Sequence, residues 1–262
     1  MKKKTRIISF INQKGGCGKT TCCASVASGL SLFYKKKVLQ IDLDVQRNLS
    51  AYYGVYETPE DKKNVYHLLK SKDSIQLDDY LISSNGVEII ASSPSLVNFE
   101  IEFANKIGRE NILKKRISPW SHQWDYICID TPPSLSLITP QALTTSTELF
   151  IVTQPKFFDL LGMTELLNTV HEVVENDVNR QLKVSGIIIN MYDNRLKHHK
   201  EIIQMIRDDS YLKGKLFKSH IRHNIALSEA SSWGHPIFAH APSSNGANDF
   251  RKLCREIVAM ES

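Results

Sequence analysis

Six short apolar runs, rich in isoleucine and valine, alternate with longer segments of helical periodicity along the 262 residues of this chain. The runs comprise residues 6–11, 38–41, 87–91, 126–129, 149–152 and 184–189. Strands that are apolar almost throughout are typical of a parallel sheet covered on both faces. Strands that feed helices in this order wind right-handedly. The sequence therefore predicts an α/β fold with a doubly wound, mostly parallel sheet and helices on both faces.

Composition excludes several other classes of protein. Hydrophobic residues make up 42% and charged residues 23% of the chain, as in ordinary globular domains, which excludes a disordered or collagen-like protein. The five cysteines lack metal-ligand spacing, and we interpret them as reduced thiols of a cytoplasmic protein. No apolar run approaches the roughly 18 residues of a membrane span. We expect residues 1–262 to form a single domain without an N-terminal helix-turn-helix extension, because the first strand begins near residue 6.

The first apolar run leads directly into a glycine-rich stretch, residues 12–21, which we call the phosphate loop. A strand, a glycine-rich loop and a helix in this order are the context that phosphate binding requires. The three glycines allow the backbone to curl so that its N–H groups point at phosphates, and the helix N-terminus adds partial positive charge. Lys19 would contact the β- and γ-phosphates, and the Thr20 hydroxyl would bind Mg²⁺.

The phosphate loop departs from the usual pattern at two positions. Gln13 stands where that pattern has its first glycine, and Lys14 precedes the glycine pair. A second lysine here is too crowded to join Lys19 on the same phosphates. It could instead neutralise the phosphates of a facing subunit, as an arginine finger does. The loop therefore predicts a homodimer with two nucleotides between its subunits.

Three aspartates follow predicted strands at the edge of the sheet where open α/β proteins bind ligands. Asp42 and Asp44 lie two residues apart after the second apolar run, and Asp130 follows the fourth. Phosphoryl transfer to water needs one carboxylate that orients the water and another near Mg²⁺. We expect these aspartates to serve the phosphate loop, and a purely structural role at a strand end is the alternative.

Positive charge is concentrated in residues 180–223, which we call the basic segment. It contains ten lysines and arginines against four acidic residues, so its net charge of +6 accounts for the entire +5 of the chain. Such a cluster predicts salt-dependent, sequence-tolerant contact with the phosphate backbone of a nucleic acid. Solvated lysines on exposed helices are the alternative.

Two further segments are predicted from their patterns. Residues 52–86 are polar and irregular, and we expect only short helices at 65–69 and 77–81. Residues 248–260 carry apolar side chains at helical spacing, namely Phe250, Leu253, Ile257 and Met260. We interpret this stretch as a helix docked on the core, with a helix lying on a membrane surface as the alternative.

Several separated motifs, in the correct order, resemble those of the ParA/MinD ATPases, and the chain as a whole is most similar to the ParA/Soj partition proteins. Residues 14–21 resemble the deviant Walker A loop of that family, and residues 126–134 resemble its Walker B stretch. Residues 38–48 resemble a third motif, although Val45 stands where the family has proline. The resemblance implies a P-loop ATPase that uses ATP and Mg²⁺.

The resemblance also assigns roles to single residues. It implies that Asp44 orients the attacking water, that Asp42 supports the metal region, and that Asp130 holds the hydration shell of Mg²⁺ with Thr20 as a ligand. Asn190 stands where the family has a polar residue near the adenine base, with a strand-end turn as the alternative. The ATP-binding residues would be Lys14, Gly15, Gly16, Cys17, Gly18, Lys19, Thr20, Thr21, Asp42 and Asn190. Catalysis would depend on Lys14, Lys19 and Asp44.

The basic segment matches the family only in part. Residues 192–195 resemble a family motif that makes Arg195 a candidate DNA contact, whereas residues 221–230 lack the family's proline and two of its arginines. The candidate DNA-binding residues are Arg195, Lys197, Lys200, Lys218 and Arg222.

The function that the resemblance implies is that of an ATP-dependent dimeric switch. ATP and Mg²⁺ would close a homodimer that binds double-stranded DNA non-specifically, and slow hydrolysis, stimulated by a ParB-like centromere-binding protein, would release it during plasmid or chromosome partitioning. The protein would be cytoplasmic and nucleoid-associated, without stable membrane association. Two alternatives remain open, a membrane-cycling positioning ATPase of the MinD type and a DNA-binding regulator with weak hydrolysis.

Overall fold

A seven-stranded sheet forms the centre of the computed structural model, which describes residues 4–72, 74–134, 136 and 138–261. The strands are β1 (Arg6–Ile11), β2 (Val38–Asp42), β3 (Ile82–Ser84), β4 (Val87–Ile90), β5 (Tyr126–Asp130), β6 (Glu148–Thr153) and β7 (Lys183–Ile189). Their order across the sheet is β3-β4-β2-β5-β1-β6-β7. Every neighbouring pair is parallel except β3 with β4. The predicted α/β fold with a mostly parallel sheet is confirmed.

Eleven α-helices connect the strands within the described ranges. They are α1 (Lys19–Tyr34), α2 (Asn48–Tyr52), α3 (Val65–Lys70), α4 (Val97–Phe103), α5 (Ile112–Ile117), α6 (Ile138–Thr145), α7 (Phe157–Glu175), α8 (Lys197–Asp208), α9 (Ile225–Ser232), α10 (Ile237–His240) and α11 (Asn245–Ala259). Short 3₁₀ turns cover Leu77–Asp79, Pro94–Leu96, Arg109–Asn111 and Ser121–Gln123.

Helices cover both faces of the sheet, which explains why six of its seven strands are apolar almost throughout. On β5, Tyr126 and Cys128 pack in the cluster formed with α1 and α11, whereas Ile127 and Ile129 pack with α3, α4 and α5. On β6, Phe150 joins the first of these clusters, and its neighbours on the opposite face join a third cluster with α7 and α8. All five cysteines are free and buried, as small core residues.

The C-terminal helix is docked, as its periodicity predicts. Phe250, Leu253 and Ile257 of α11 are fully buried in the cluster that includes α1, whereas Met260 is 41% exposed. The side chain of Ser244 caps the helix by accepting from the N–H of Ala247, so α11 begins three residues earlier than the predicted 248–260. Within the described residues, no helix has both the length and the apolar character needed to cross a membrane.

The prediction for residues 52–86 is wrong at the edge of the sheet. A helix does form at Val65–Lys70, but the expected helix at 77–81 is only the 3₁₀ turn Leu77–Asp79. It is followed by β3, for which no strand was expected. This strand is three residues long and only half-buried, so it produces no apolar run.

Candidate nucleotide-binding site

Residues that follow β1, β2, β5 and β7 line a single cleft of about 430 Å³ at the carboxyl edge of the sheet. Parallel strands end at the same edge, so loops that are distant in sequence meet there. The lining consists of Gly15, Gly16, Gly18, Lys19, Thr20, Thr21, Asp44, Asn48, Ala51, Tyr52, Pro133, Met191, Ser231 and Ser232. The structure thus brings Asp44 next to the phosphate loop.

The curl of the phosphate loop depends on glycine at two positions. Gly16 and Gly18 have φ angles of +72° and +91°, in the left-handed region that favours glycine. Lys19 begins α1, so the positive end of a sixteen-residue helix lies at the cleft. The Nζ of Lys19 donates to the backbone oxygen of Lys14 at 3.1 Å. This ammonium group therefore lies across the loop, where it can meet phosphate oxygens.

Thr20 and Asp130 form a contact at the base of the loop that suits a hydrated cation. The Thr20 hydroxyl donates to Oδ2 of Asp130 at 2.7 Å. Burial, together with the nearby charge of Asp42, raises the pKa of Asp130 well above its ordinary value. Oδ1 of Asp130 is buried without a hydrogen-bond partner among the described residues. A carboxylate with one unsatisfied oxygen beside a hydroxyl fits Mg²⁺, which favours oxygen ligands.

The described residues contain no group of three or more histidine, cysteine or acidic side chains that could hold a metal ion by themselves. A magnesium site of the nucleotide-dependent kind does not need one. Mg²⁺ in such sites keeps several waters and takes one or two protein ligands, and the phosphates supply the others. Thr20 and Asp130 therefore suffice as protein groups.

Asp42 and Asp44 occupy different positions despite their spacing of two residues. Asp42 is fully buried and accepts from the backbone N–H and the hydroxyl of Ser50, at 2.9 and 2.7 Å. It also accepts from the N–H of Asp44 at 3.0 Å. Burial raises the pKa of Asp42 to about 6. Asp42 thus connects the end of β2 to α2, and only Asp44 of this pair lines the cleft.

Lys14 makes an ion pair within its own chain. Its Nζ contacts Oδ1 of Asp159, a fully buried carboxylate near the start of α7, while the Lys14 side chain itself is 43% exposed. The lysine therefore reaches sideways from the loop towards α7. Its predicted action on a facing subunit stays a prediction, and it requires this ion pair to open.

Asn190 contacts the phosphate loop at Cys17, outside the lining of the cleft. The Nδ2 of the buried Asn190 donates to the backbone oxygen of Cys17 at 2.8 Å, and the Cys17 side chain is buried. Neither residue is among those that line the cleft. The amide nitrogen of Asn190 is therefore used by the loop, and the contact with adenine stays a prediction.

The candidate DNA-binding residues lie at the surface, but three of them pair with carboxylates. Arg195 pairs with Asp193, at 2.7 Å between Nη2 and Oδ2. Arg222 pairs with Asp249 of α11, at 2.7 Å between Nη2 and Oδ1. The Nζ of Lys197 lies 3.8 Å from Oε1 of Glu201, one turn further along α8. Lys197 is nevertheless exposed, as are Lys200 and Lys218. Because Asp249 lies outside the basic segment, the free positive charge of that surface is smaller than the sequence count indicates.

Several residues around the cleft were not singled out from the sequence. Gln154 and Asp159 follow β6 and contact the phosphate loop. Their signal was available, because they are polar residues at the carboxyl end of an apolar strand. Ser231 and Ser232 reach the cleft from the end of α9, more than two hundred residues after the loop, and nothing in their local sequence indicates this position.

Comparison with known proteins agrees with this geometry. The family described as "AAA domain" matches residues 5–184. The chain is 36% identical to the chromosome-partitioning ATPase Soj of Treponema pallidum over 256 residues, which covers 98% of each chain. It is 34% identical to the sporulation initiation inhibitor protein Soj of Bacillus subtilis, with coverage of 97% of this chain and 98% of the relative.

Solved structures show the same fold at lower sequence identity. The septum site-determining protein MinD of Pyrococcus horikoshii, complexed with Mg-ADP, has a TM-score of 0.78 at 24% identity and covers 99% of both chains. Cobyrinic acid a,c-diamide synthase of Mycobacterium smegmatis, with a bound ATP analogue and magnesium, has a TM-score of 0.81 at 24% identity and covers 97% of this chain and 95% of that one.

These two structures support the fold alone, whereas the Soj relatives match at more than 30% identity along nearly the whole of both chains. The phosphate loop, the buried aspartates and the parallel sheet described above are the features expected of such relatives. The chain therefore belongs to the ParA/Soj partition ATPases of the ParA/MinD family.

Proposed function

We propose that this protein is an ATP-dependent dimeric switch that binds double-stranded DNA non-specifically and hydrolyses ATP to drive plasmid or chromosome partitioning. One observation carries the proposal: Lys19, Thr20 and the buried Asp130, with its unpartnered Oδ1, meet at the positive end of α1. That combination suits a triphosphate with its cation. Homologous Soj proteins are named as chromosome-partitioning ATPases, which supports the same reaction here.

Different residues of the cleft have different roles in hydrolysis. Backbone N–H groups of the phosphate loop and Nζ of Lys19 bind the phosphates, and Thr20 and Asp130 hold the cation. Mg²⁺, when bound, neutralises charge on the phosphates. Asp44 orients the attacking water, since it lines the cleft whereas Asp42 is buried behind it. Asp42 positions Asp44 by accepting from its N–H group.

The dimer is proposed from the position of Lys14. Its side chain is 43% exposed, pairs with Asp159 and is not among those that line the cleft. In a face-to-face homodimer, this lysine would leave Asp159 and neutralise the nucleotide of the partner. Nucleotide binding then controls assembly, because each subunit completes the site of the other.

DNA binding is proposed from the exposed lysines of the basic segment. Lys197 and Lys200 lie on the first turn of α8, and Lys218 lies between α8 and α9. Arg195 and Arg222 would add positive charge where phosphate competes with their carboxylate partners. Such contacts position a protein on DNA without reading its sequence. A cytoplasmic, nucleoid-associated protein and a ParB-like partner that stimulates hydrolysis complete the proposal.

The membrane-cycling alternative is not supported. It requires α11 to present its apolar side chains to lipid, but Phe250, Leu253 and Ile257 are fully buried against the core. Detaching this helix would expose three large apolar side chains to water, at a free-energy cost of about 2 kcal/mol each.

The test is binding to random-sequence duplex DNA, measured by fluorescence anisotropy with ATP, with ADP and without nucleotide over a series of salt concentrations. We expect tight binding only with ATP and Mg²⁺, and an affinity that falls steeply with salt. Replacing both Lys197 and Lys200 with alanine should reduce the slope of log affinity against log salt by about 0.9 for each phosphate that these lysines neutralise. Replacing Lys72 and Lys115, exposed lysines outside the basic segment, serves as the control. Equal binding with and without ATP would contradict the proposal.

A further inference from the structure

Two side-chain amides hold the phosphate loop from behind, and we call them the amide clamp. Nε2 of Gln154, which follows β6, donates to the backbone oxygen of Gly16 at 3.0 Å. Nδ2 of Asn190, which follows β7, donates to the backbone oxygen of Cys17 at 2.8 Å. Both amides are buried, at 6% and 4% exposure. The clamp therefore fixes two consecutive peptide groups of the loop.

The clamp also sets the direction of the loop N–H groups. In a planar trans peptide, the C=O of one residue and the N–H of the next point in opposite directions. Tying the oxygens of Gly16 and Cys17 towards the sheet consequently turns the N–H groups of Cys17 and Gly18 away from it. A phosphate-binding loop needs its N–H groups in such a fixed orientation.

Asn190 is in direct contact with the loop as well as hydrogen-bonded to it. A Cβ atom placed on Gly18 would lie 2.1 Å from Nδ2 of Asn190, so the two residues are in direct contact. The backbone of Asn190 is fixed as well, because its N–H donates to the oxygen of Thr153 on β6 at 2.8 Å. A displacement of Cys17 or Gly18 must therefore displace Asn190.

The residues after Asn190 lead directly to the basic segment's surface. Met191 lines the cleft and has a φ angle of +54°, in a region that non-glycine residues rarely adopt. Such strained positions concentrate at switch regions. Tyr192 then pairs with the backbone of Arg222, through the N–H of Tyr192 to the oxygen of Ile221 at 2.9 Å and the N–H of His223 to the oxygen of Tyr192 at 3.1 Å.

We propose that Asn190 is a positioning residue that couples nucleotide binding in the phosphate loop to the DNA affinity of the surface around Arg195 and Arg222. The inference rests on the proposed function and deepens it. Phosphates that bind the loop shift Cys17 and Gly18, Asn190 follows, and the strained Met191 transmits the change to Tyr192 and its neighbours. Coupling of this kind is a free energy that both ligands share, so it must be reciprocal.

The experiment compares two halves of the amide clamp. Asn190→Ala leaves the carbonyl of the buried Cys17 without its side-chain partner, so we expect it to weaken Mg-ATP binding by roughly tenfold in calorimetry. Gln154→Ala does the same at the exposed Gly16, where water can replace the amide, so we expect a smaller loss of affinity. DNA affinity is then measured at saturating Mg-ATP, with the fraction of dimer determined in parallel by sedimentation. Gln154 touches Met191 only at its side-chain sulfur, at 3.1 Å from Nε2 to Sδ, and not at the backbone that leads to Tyr192. Gln154→Ala should therefore regain the DNA affinity of the natural protein once nucleotide saturates it, whereas Asn190→Ala should remain weaker by roughly fivefold or more.

Two further variants complete the experiment, a substitute for Asn190→Ala and a control. Asn190→Ser, too short to reach Cys17, replaces the alanine variant if that chain does not fold. Asn194→Ala, an exposed neighbour on the same segment, should behave as the natural protein does. In the natural protein, DNA should raise the affinity for ATP by the factor by which ATP raises the affinity for DNA, and Asn190→Ala should reduce both factors equally.

Normal DNA affinity of Asn190→Ala at saturating Mg-ATP would overturn the coupling, and unchanged ATP affinity of both clamp variants would overturn the clamp. If the natural protein itself binds DNA equally with and without ATP, the proposed function fails and the coupling fails with it. These outcomes are distinct, because the natural protein is measured in the same experiment.

Discussion

At the scale of single residues, the site contains two buried carboxyl groups whose ionisation is opposed by burial. Burial raises the pKa of Asp42 from 3.8 to about 6 and raises that of Asp130 well above its ordinary value. A group that binds its proton more tightly in the folded state contributes stability below its unfolded pKa, and that stability is lost as the pH rises through the folded pKa. For Asp42 this window extends from about pH 4 to about pH 6. The ligand-free protein is therefore destabilised at neutral pH by its own aspartates.

Asp130→Asn tests this conclusion. Removing a carboxyl group whose ionisation is opposed by burial should raise the melting temperature of the ligand-free protein at pH 7 by a few degrees, because about 1 kcal/mol corresponds to roughly 2–4 °C in a chain of this size. The gain should shrink towards pH 5, where the natural carboxyl groups bind protons. The same variant should lose the stabilisation that Mg-ATP gives the natural protein. Thermal melts from pH 5 to 8 measure both effects.

Asp61→Asn, which changes an exposed carboxylate, is the control and should leave the melting temperature nearly unchanged. A lower melting temperature of Asp130→Asn at pH 7, with an undiminished response to Mg-ATP, would show that Asp130 is a structural cap instead of a cation ligand.

At the scale of elements, a glycine allows α1 to pack close to α10 and α11. A Cβ on Gly29 would lie 2.6 Å from Sγ of Cys254 on α11 and 3.0 Å from Cε2 of Phe238 on α10. This close approach seats the helix whose N-terminus forms the cleft. The packing of α1 against α10 and α11 is thus part of what positions Lys19 and Thr20.

Gly29→Ala should destabilise the protein by about 1–3 kcal/mol, the usual cost of overpacking a core. Cys254→Ala in the same chain removes the nearest atom and should recover part of the loss, since Phe238 remains. Gly162→Ala is the matched control, because Gly162 lies in a helix with open space around its Cβ position. It should stabilise by up to about 1 kcal/mol through helix propensity. Urea unfolding measures all three, and equal effects of the two glycine substitutions would contradict the packing argument.

The sequence predicts the elements buried on both faces and the local loop, but not contacts between distant segments. Six strands are visible because full burial makes them continuously apolar. The seventh, β3, is not, although its turn carries a signal. Asn85 and Gly86 both have positive φ, +48° and +79°, and Asn-Gly is the pair that tight hairpins favour. The amides of Gln154 and Asn190 lie 138 and 173 residues from the loop carbonyls that they hold, and no local pattern indicates such pairs.

At the scale of the whole molecule, the nucleotide cleft and the basic surface lie on connected parts of one sheet edge. The cleft is built from loops after β1, β2, β5 and β7, and the basic segment contains β7 and α8. Lys14 is not among the residues that line the cleft, and it pairs instead with Asp159. These features support the proposed dependence of assembly on nucleotide.

Lys14→Ala should therefore bind Mg-ATP nearly as well as the natural protein but remain monomeric with it, since the group that neutralises the partner's phosphates is missing. Sedimentation velocity with ATP and with ADP measures the difference. Lys72→Ala, another exposed lysine, should still dimerise with ATP. ATP-driven dimers of Lys14→Ala would refute the action of this lysine across the interface.

The central claim is that the phosphate loop of this chain binds ATP together with Mg²⁺. Calorimetric titration of the folded protein with ATP, with and without Mg²⁺, tests it most directly, alongside Lys19→Ala. The account predicts one nucleotide bound per chain, tighter binding with Mg²⁺, and a loss of at least roughly tenfold when Lys19 is removed, as expected for a charged hydrogen-bonding group on a phosphate. Folded protein that takes up no ATP, or that binds it equally well without Lys19, would contradict the account.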